Sequence, residues 1–176
     1  VIHSYAHGID ERRVEPAPAA KSISRSTTFI EDTLDRPFLR GILCYLSERV
    51  GAELRRQGRK ARCVTLKLRY ADFDTITRSR TLRQATDADQ AIFDVGLELL
   101  ERSLARSRQR VRLVGIGVSN LVCDGRQLGL WDSCRERQEP LDGVIDRIRH
   151  RHGFSAIQRG RTLLLRDFLP VEKGDY

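Results

Sequence analysis

The sequence predicts an α+β domain with a four-stranded antiparallel or mixed sheet and two helices on one of its faces. Two stretches have apolar residues at helical spacing, and four β-branched or alternating stretches surround them in the order β-α-β-β-α-β. Each helix has one apolar stripe to bury, and one face of a sheet can accept both stripes. The opposite face is then left open, and its side chains are candidates for the function.

The first strand and the first helix follow an N-terminal segment with few apolar residues. Residues 21–30 are rich in hydroxyl and β-branched side chains and lack a helical period, which is typical of a strand. Asp35 stands before Arg36 and Pro37, which is typical of an N-cap followed by a proline in the first turn. A helix is predicted from there to about Gly58. Its apolar stripe is formed by Leu39, Ile42, Leu43, Leu46, Val50 and Leu54.

A hairpin and a second helix come next. Residues 61–82 have a period of two on both sides of a loop at residues 71–74, which predicts two antiparallel strands. Asp87 and Asp89 complement the positive end of a helix dipole, and the apolar spacing behind them predicts a helix that runs to about Ser107.

The fourth strand and a polar tail complete the chain. Residues 110–122 are apolar and β-branched with two glycines, which favours a buried strand. The following residues 123–138 are mostly polar. A third helix that ends at Gly153 is predicted from the spacing of Leu141, Val144, Ile145 and Ile148, and residues 162–168 are expected to be extended.

Charge and composition restrict the classes of function. The chain of 176 residues has a net charge of +8, and 28 of its 32 basic residues are arginine. Guanidinium groups favour a phosphate-bearing partner, because they bind phosphate oxygens in a bidentate manner. No apolar run approaches a membrane span, so we expect no membrane helix, no signal peptide and a cytoplasmic location. The cysteines lack metal-ligand spacing, which favours ordinary thiols in a reducing compartment: Cys44, Cys63, Cys123 and Cys134.

Hydroxyl groups and arginines from three of the predicted strands are expected to face away from the helices, on the open face. Short hydroxyls let a phosphate backbone approach the main chain, and arginine supplies charge without reading a base. The face lacks the aromatic side chains that stack on single strands, so duplex DNA is favoured over RNA. The alternative that remains open is a solvated face without a ligand. The candidate DNA-binding residues are Ser22, Ser24, Arg25, Thr75, Thr77, Arg78, Ser79, Arg80 and Arg112.

Three motifs, at residues 21–29, 66–82 and 111–121, carry a resemblance to a known family. In this order they resemble the little-finger domain of Y-family translesion DNA polymerases of the polymerase IV type. The resemblance spans about residues 8–132. Residues 1–14 are similar to the end of the thumb domain, and residues 15–21 to the linker that joins it to the little finger.

The resemblance implies that residues 21–122 form a module that grips a primer-template duplex in the major groove, beside a separate catalytic core. Carried over by position, Ser24, Arg25, the run 77–80 and Arg112 would contact phosphates of the template and the primer. Family members often have two basic residues where this chain has Arg112 followed by leucine, so a weaker contact is expected there.

The catalytic metal site of such polymerases has no counterpart in this sequence. The paired carboxylates that hold two metal ions in the palm are absent, and the only similar local pair of aspartates is Asp87 and Asp89. We assign these two residues to the helix dipole. We therefore expect no catalytic residue, no cofactor and no DNA synthesis in this chain, whereas the parent enzyme is expected to use Mg²⁺.

A short apolar motif follows the last strand. The sequence from Gln127 to Asp132 resembles the bacterial peptide that binds the sliding clamp, and its anchors would be Gln127, Leu128, Leu130 and Trp131. A polar stretch that carries the only tryptophan of the chain is typical of an anchor for a hydrophobic cleft. The alternative is that these side chains fold back onto a hydrophobic edge of the same protein. Residues 123–138 are thus the predicted clamp-binding segment, and residues 139–176 a C-terminal extension without an assigned function.

Two interpretations of the whole chain compete. In the first, it is the DNA-holding domain of a lesion-bypass polymerase, tethered to the sliding clamp. In the second, it is a protein-interaction adaptor that binds the clamp without contacting DNA.

Overall fold

The computed structural model describes residues 2–10, 12–13, 20–123, 138–165 and 168, with the backbone alone for residues 2 and 138–140. The elements are α1 (Ile2–Ala6), β1 (Ser22–Thr33), α2 (Arg36–Arg56), β2 (Arg59–Tyr70), β3 (Thr75–Thr86), α3 (Asp89–Arg106), β4 (Val111–Cys123) and α4 (Gln138–His152), then 3-10 helices at Phe154–Ala156 and Gly160–Leu165. The predicted β-α-β-β-α-β order is confirmed.

Helix α2 begins and ends where its sequence predicts. The Asp35 side chain accepts a hydrogen bond from the backbone N–H of Phe38 at 3.2 Å, which satisfies one of the unpaired donors of the first turn. Just beyond its last residue, Gly58 has a φ of 60°, which glycine adopts without a steric cost.

The four strands form one sheet in the order β1-β4-β2-β3, and every neighbouring pair is antiparallel. Helices α2 and α3 cover one face of it. The strand residues beneath the helices are buried: Val64, Leu66, Leu68, Val114, Ile116 and Val118. The apolar stripe of α2 is buried against them, as its spacing predicts, so burial of apolar area holds this layer together.

The C-terminal extension adds a third layer on the outer side of the helices. The second 3-10 helix packs on α2, and its Leu165 is fully buried in the core. The extension approaches α2 closely at Gly41, where an added Cβ would lie only 3.0 Å from the backbone oxygen of Arg161. The described part of the extension therefore does not cover the open face of the sheet.

The expectation of an extended segment at residues 162–168 is wrong. Both the backbone N–H and the side-chain hydroxyl of Thr162 donate to the Arg159 carbonyl at 2.8 Å, which closes a tight turn. The turn directs Leu165 into the core, and this burial outweighs the local preference of the β-branched and leucine residues. The predicted third helix is confirmed as α4, followed by Gly153 at a φ of 89°. No helix in the described part of the chain is both long and apolar enough to cross a bilayer.

Candidate nucleic-acid interface

The register of the sheet decides which side chains lie on its open face. Residues directly opposite each other in an antiparallel pair point to the same face, and the two faces alternate along each strand. Because Val64, Leu66 and Leu68 lie beneath the helices, the residues between them, Thr65 and Lys67, lie on the open face.

The open face carries hydroxyl groups on every strand. Within their regularly paired stretches, residues 22–28 of β1 and 75–81 of β3, the two edge strands present serine and threonine along it, and these side chains are exposed. Two cations, Lys67 and Arg69, project from the central strand β2. We define the open face by Ser22, Ser24, Ser26, Thr28, Thr65, Lys67, Arg69, Thr75, Thr77, Ser79, Thr81, Gly115, Gly117 and Ser119.

Two glycines of β4 form a shallow furrow in the middle of the open face. A Cβ at Gly115 would lie 2.9 Å from the Cβ of Ser26, and one at Gly117 would lie 3.0 Å from the Cβ of Ser24. The distance at Gly115 is shorter than real Cβ atoms show, and at Gly117 the neighbouring Ser24 would have to move by a few tenths of an ångström, so both positions favour glycine. The surface here descends to the main chain, which suits the close approach of another backbone.

Three of the predicted contact residues do not lie on the open face. Arg25, Arg78 and Arg80 alternate with the hydroxyl residues, so the prediction that they share a face with them is wrong. The residues directly opposite them are buried beneath the helices: Ile116, Leu66 and Val64. The three arginines remain exposed because they belong to edge strands, from which they extend past the helices into solvent.

Acidic side chains of the helices face two of these arginines. The pKa of Glu53 on α2 is lowered, mainly by the hydrogen bond from Arg56, and the charge of Arg25 contributes to the lowering. Arg80 forms an ion pair with Glu98 of α3. Arg78 makes its only described hydrogen bond with the Thr77 carbonyl. Of the three guanidinium groups, that of Arg80 is therefore the most fully neutralised.

Arg112 lies at a register shift between β2 and β4. Its Nε is 3.4 Å from Oδ1 of Asp32, and its guanidinium carbon is 4.4 Å from the centroid of the Phe73 ring. Phe73 is 64% exposed, with a φ of 68°. The cation is thus held at the end of the sheet, half-buried, beside an exposed aromatic ring.

Lys67 and Arg69 are basic residues of the open face that the sequence analysis missed. They alternate with Leu66 and Leu68, both of which are buried. The period of two therefore carried the signal, since apolar residues on one face put their neighbours on the other.

The remaining predicted site residues form two groups. Gln127, Leu128, Leu130 and Trp131 lie outside the described residues. Ser22, Ser24, Thr75, Thr77 and Ser79 lie together on the open face.

The residues that the structure describes do not fit a Mg²⁺ site. They contain no group of three His, Cys, Asp or Glu side chains arranged to hold a metal ion. The Asp89 carboxylate is buried, and it is paired with Arg55 at 2.8 Å and with Arg159 at 3.7 Å. Its oxygens are therefore committed to guanidinium groups.

Comparison with known proteins agrees with this architecture. The family described as "impB/mucB/samB family C-terminal domain" matches residues 20–130. The chain belongs to this family. The match contains the whole sheet and both helices that cover it, which confirms the resemblance to a Y-family little-finger domain.

Curated relatives are named as polymerases. The chain is 46% identical over 166 residues to "DNA polymerase IV" of Dehalococcoides mccartyi, which covers 94% of this chain and 42% of that protein. It is 38% identical over 162 residues to "DNA polymerase IV" of Desulfatibacillum aliphaticivorans, with 90% and 41% covered. The chain thus spans about two fifths of the length of these relatives.

Solved structures share the fold. The post-insertion binary complex of Dbh DNA polymerase matches with a TM-score of 0.53 at 18% identity, over 70% of this chain and 35% of that chain. A second match is DinB from Sulfolobus solfataricus, with a TM-score of 0.52 at 17% identity over 58% and 29%.

Proposed function

We propose that this chain is the part of a polymerase IV type, Y-family lesion-bypass polymerase that holds the primer-template duplex by its sugar-phosphate backbone. One observation carries the proposal: the sheet has an uncovered face lined with hydroxyl groups and two cations. Serine and threonine donate to phosphate oxygens, and lysine and arginine add attraction that is independent of sequence.

The width of the sheet suits a position across the major groove, with each edge strand near one of the phosphate strands that border it. Three strand spacings of about 4.8 Å put the two edge strands about 14 Å apart, and the major groove of B-DNA is about 12 Å wide. A duplex seated on the furrow would bring a phosphate strand near each edge. There Arg25 on β1 and Arg78 on β3 extend outward from the sheet, so their predicted DNA contacts are retained as edge contacts.

The other partners of the parent protein complete the proposal. We assign residues 1–20 to the thumb and linker, 21–122 to the duplex-holding domain, 123–138 to a sliding-clamp tether and 139–176 to the extension. The tether would insert Leu130 and Trp131 into the clamp. Mg²⁺ and the chemistry of synthesis belong to a catalytic core outside this chain, and the complex would act at the nucleoid.

A pair of substitutions that removes two positive charges from the open face tests the proposal. Lys67→Gln with Arg69→Gln should weaken binding to a primer-template duplex by tenfold or more near 100 mM salt. It should also make the slope of log affinity against log salt shallower by about 2, because each phosphate contact contributes about 0.9. Fluorescence anisotropy over a salt series measures both quantities.

The matched control removes the same charge from the extension. Arg147 and Arg151 are exposed on α4, on the far side of the helices. Arg147→Gln with Arg151→Gln should leave the affinity within about twofold and the slope nearly unchanged, because exposed charges beyond a Debye length are screened. Equal effects of the two pairs would contradict a specific grip by the open face.

A second substitution pair separates the adaptor interpretation. Leu130→Ala with Trp131→Ala should abolish capture by the purified clamp and leave the affinity for duplex unchanged. Clamp capture by a protein that does not bind duplex at any salt concentration would favour the adaptor.

A further inference from the structure

A basic cleft lies at the edge of the sheet, between β3 and the last turn of α3. It has a volume of about 610 Å³. Its floor includes Ile76 and Leu99, and its walls come from β3, from α3 and from the segment 107–109 that follows this helix. The basic side chains that line it are Arg78, Arg102, Arg106 and Arg108.

Most of this positive charge has no acidic partner. Arg102 pairs with Glu98 at 2.6 Å. Among the described residues, no carboxylate lies within ion-pair distance of Arg78, Arg106 or Arg108. One acid, Asp74, also lines the cleft, and it leaves the lining with a clear positive excess.

The contrast with Arg80 shows that this lack of partners is local. Arg80 lies two residues along the same strand and on the same side of the sheet, and Glu98 neutralises it. About one and two turns after Glu98, Arg102 and Arg106 of α3 line the cleft. No acidic residue of α3 lines it. Like charges that converge without counter-charges cost free energy, and an anion bound among them recovers that cost.

The cleft is continuous with the open face. Ser79 lines it and belongs to the open face, whereas the neighbouring Arg78 points to the helix side. Strand β3 is at the edge of the sheet, so no further strand separates the two surfaces. A polyanion that crosses the open face can therefore reach the cleft by passing over β3.

We propose that this cleft binds one phosphodiester group of the DNA backbone, beyond the phosphates that contact the open face. The proposal rests on the proposed function and extends it to residues of α3 and of the segment 107–109. Arg106 and Arg108 are the anchors, because the planar guanidinium group matches two phosphate oxygens. Arg78 closes the cleft from the strand side.

A bound acidic protein segment is the competing occupant. Protein hot spots combine charge with a buried aromatic or aliphatic anchor. In this cleft Tyr70 and Leu99 are buried and Ile76 is half-buried, whereas the four arginines are exposed, so a partner would meet mainly guanidinium groups. The chemistry of the cleft therefore favours phosphate.

The test is a double substitution, Arg106→Gln with Arg108→Gln, in the 176-residue chain. We expect affinity for a primer-template duplex to fall by about fivefold to tenfold and the salt slope to become shallower by about 1. The control is again Arg147→Gln with Arg151→Gln. Thermal unfolding of each variant is measured as well, because arginines in the last turn of a helix also stabilise its dipole.

Neutral phosphates locate the contact. A series of duplexes is made in which one methylphosphonate replaces one phosphate in turn. At one or two positions, the methylphosphonate should lower the affinity of the parent chain for the duplex. At the same positions it should not lower the affinity of the Arg106→Gln/Arg108→Gln variant any further. These positions should differ from the positions at which a methylphosphonate has no effect on the affinity of the Lys67→Gln/Arg69→Gln variant.

The outcomes separate this inference from the proposed function. If Lys67→Gln/Arg69→Gln weakens binding and Arg106→Gln/Arg108→Gln behaves like the control, the duplex is held without the cleft and the inference is wrong. If the cleft variant loses binding only to a separately purified catalytic core, its occupant is an acidic protein surface, which also overturns it. If neither variant affects DNA binding, the proposed function fails first.

Discussion

Two arginine-rich regions lie on opposite sides of the helix layer, and they differ in whether their cations are paired with carboxylates. Between α2, α3 and the extension, Arg149 donates to the Glu48 carboxylate at 2.5 Å, and Arg159 lies 3.0 Å from its other oxygen. Glu48 and Arg149 are almost fully buried. On the sheet side, Lys67 and Arg69 of the open face and the edge arginines Arg25 and Arg78 face solvent, and of the edge arginines only Arg80 is held in an ion pair, with Glu98, among the residues that the structure describes. The first region binds its own carboxylates, whereas the second is available to a partner.

Arginine content alone therefore does not predict a nucleic-acid site. Buried guanidinium groups require counter-charges within the fold, since an unpaired buried charge costs several kcal/mol. Exposed groups without counter-charges are tolerated in water and are free to bind phosphate.

Breaking the buried pair should have the largest effect. Glu48→Gln leaves the guanidinium of Arg149 buried against a neutral amide, and we expect the free energy of unfolding to fall by roughly 3 kcal/mol. Urea denaturation measures it. The extension should also detach more readily, which limited proteolysis after residue 138 would report.

Glu53→Gln is the matched control. Glu53 pairs with Arg56, whose side chain is 71% exposed, so its loss should cost less than about 1 kcal/mol. Equal losses from the two variants would show that the buried region is no more dependent on its charges than the surface.

The pH dependence of stability should reveal Asp89. Its pKa is raised to about 7, because burial disfavours the carboxylate, although the nearby Arg55 opposes this. In the unfolded chain it is near 3.9. Between these values the native chain holds a proton that the unfolded chain has released, so stability falls as pH rises. From pH 5 to pH 8 we expect a loss of roughly 2 kcal/mol.

Asp89→Asn should flatten this dependence, because the amide does not titrate. Urea denaturation at pH 5, 6, 7 and 8 gives both curves. A parent chain whose stability is level or rises over this window would contradict a proton on Asp89.

The sequence predicted the layers but not the face of each cation. The helical stripe of α2 and the alternation of Val64, Leu66 and Leu68 are local patterns, so burial of apolar area determines them. A strand face depends on parity, and a shift of one residue reverses it. Ile76 alternates with Thr75 and Thr77, so the sequence itself places Arg78 on the face of Ile76 and not on the face of the hydroxyl residues.

The buried ion network was beyond sequence analysis for a different reason. Glu48 and Arg149 lie 101 positions apart, and each is unremarkable in its own helix. Only the packing of the extension on α2 brings them together. Gly51 shows the same dependence, since a Cβ there would collide with Asp89 Oδ1 across the helix contact.

The furrow of the open face should resist even one methyl group. Gly115→Ala would place a Cβ 2.9 Å from that of Ser26 and 3.3 Å from the Arg25 carbonyl oxygen. We expect a loss of about 1 to 2 kcal/mol in stability. Gly143→Ala in α4 is the control, because nothing lies within 4 Å of its Cβ. It should stabilise the helix by roughly 0.5 kcal/mol. Similar costs at both sites would mean that the furrow is not close-packed.

The smallest change removes hydroxyl groups from the open face and keeps its shape. Thr77→Val with Ser79→Ala should leave the free energy of unfolding within about 0.5 kcal/mol, because both side chains are exposed. A hydrogen bond from a hydroxyl group to the charged phosphate contributes at least about 1 kcal/mol, so the affinity for duplex should fall roughly fivefold if one of the two hydroxyls binds phosphate and roughly thirtyfold if both do, equally for all sequences. Ser155→Ala, an exposed hydroxyl of the extension, should change neither quantity. A loss of affinity that depends on base sequence would mean that these hydroxyl groups bind base edges, which would contradict binding to the sugar-phosphate backbone alone.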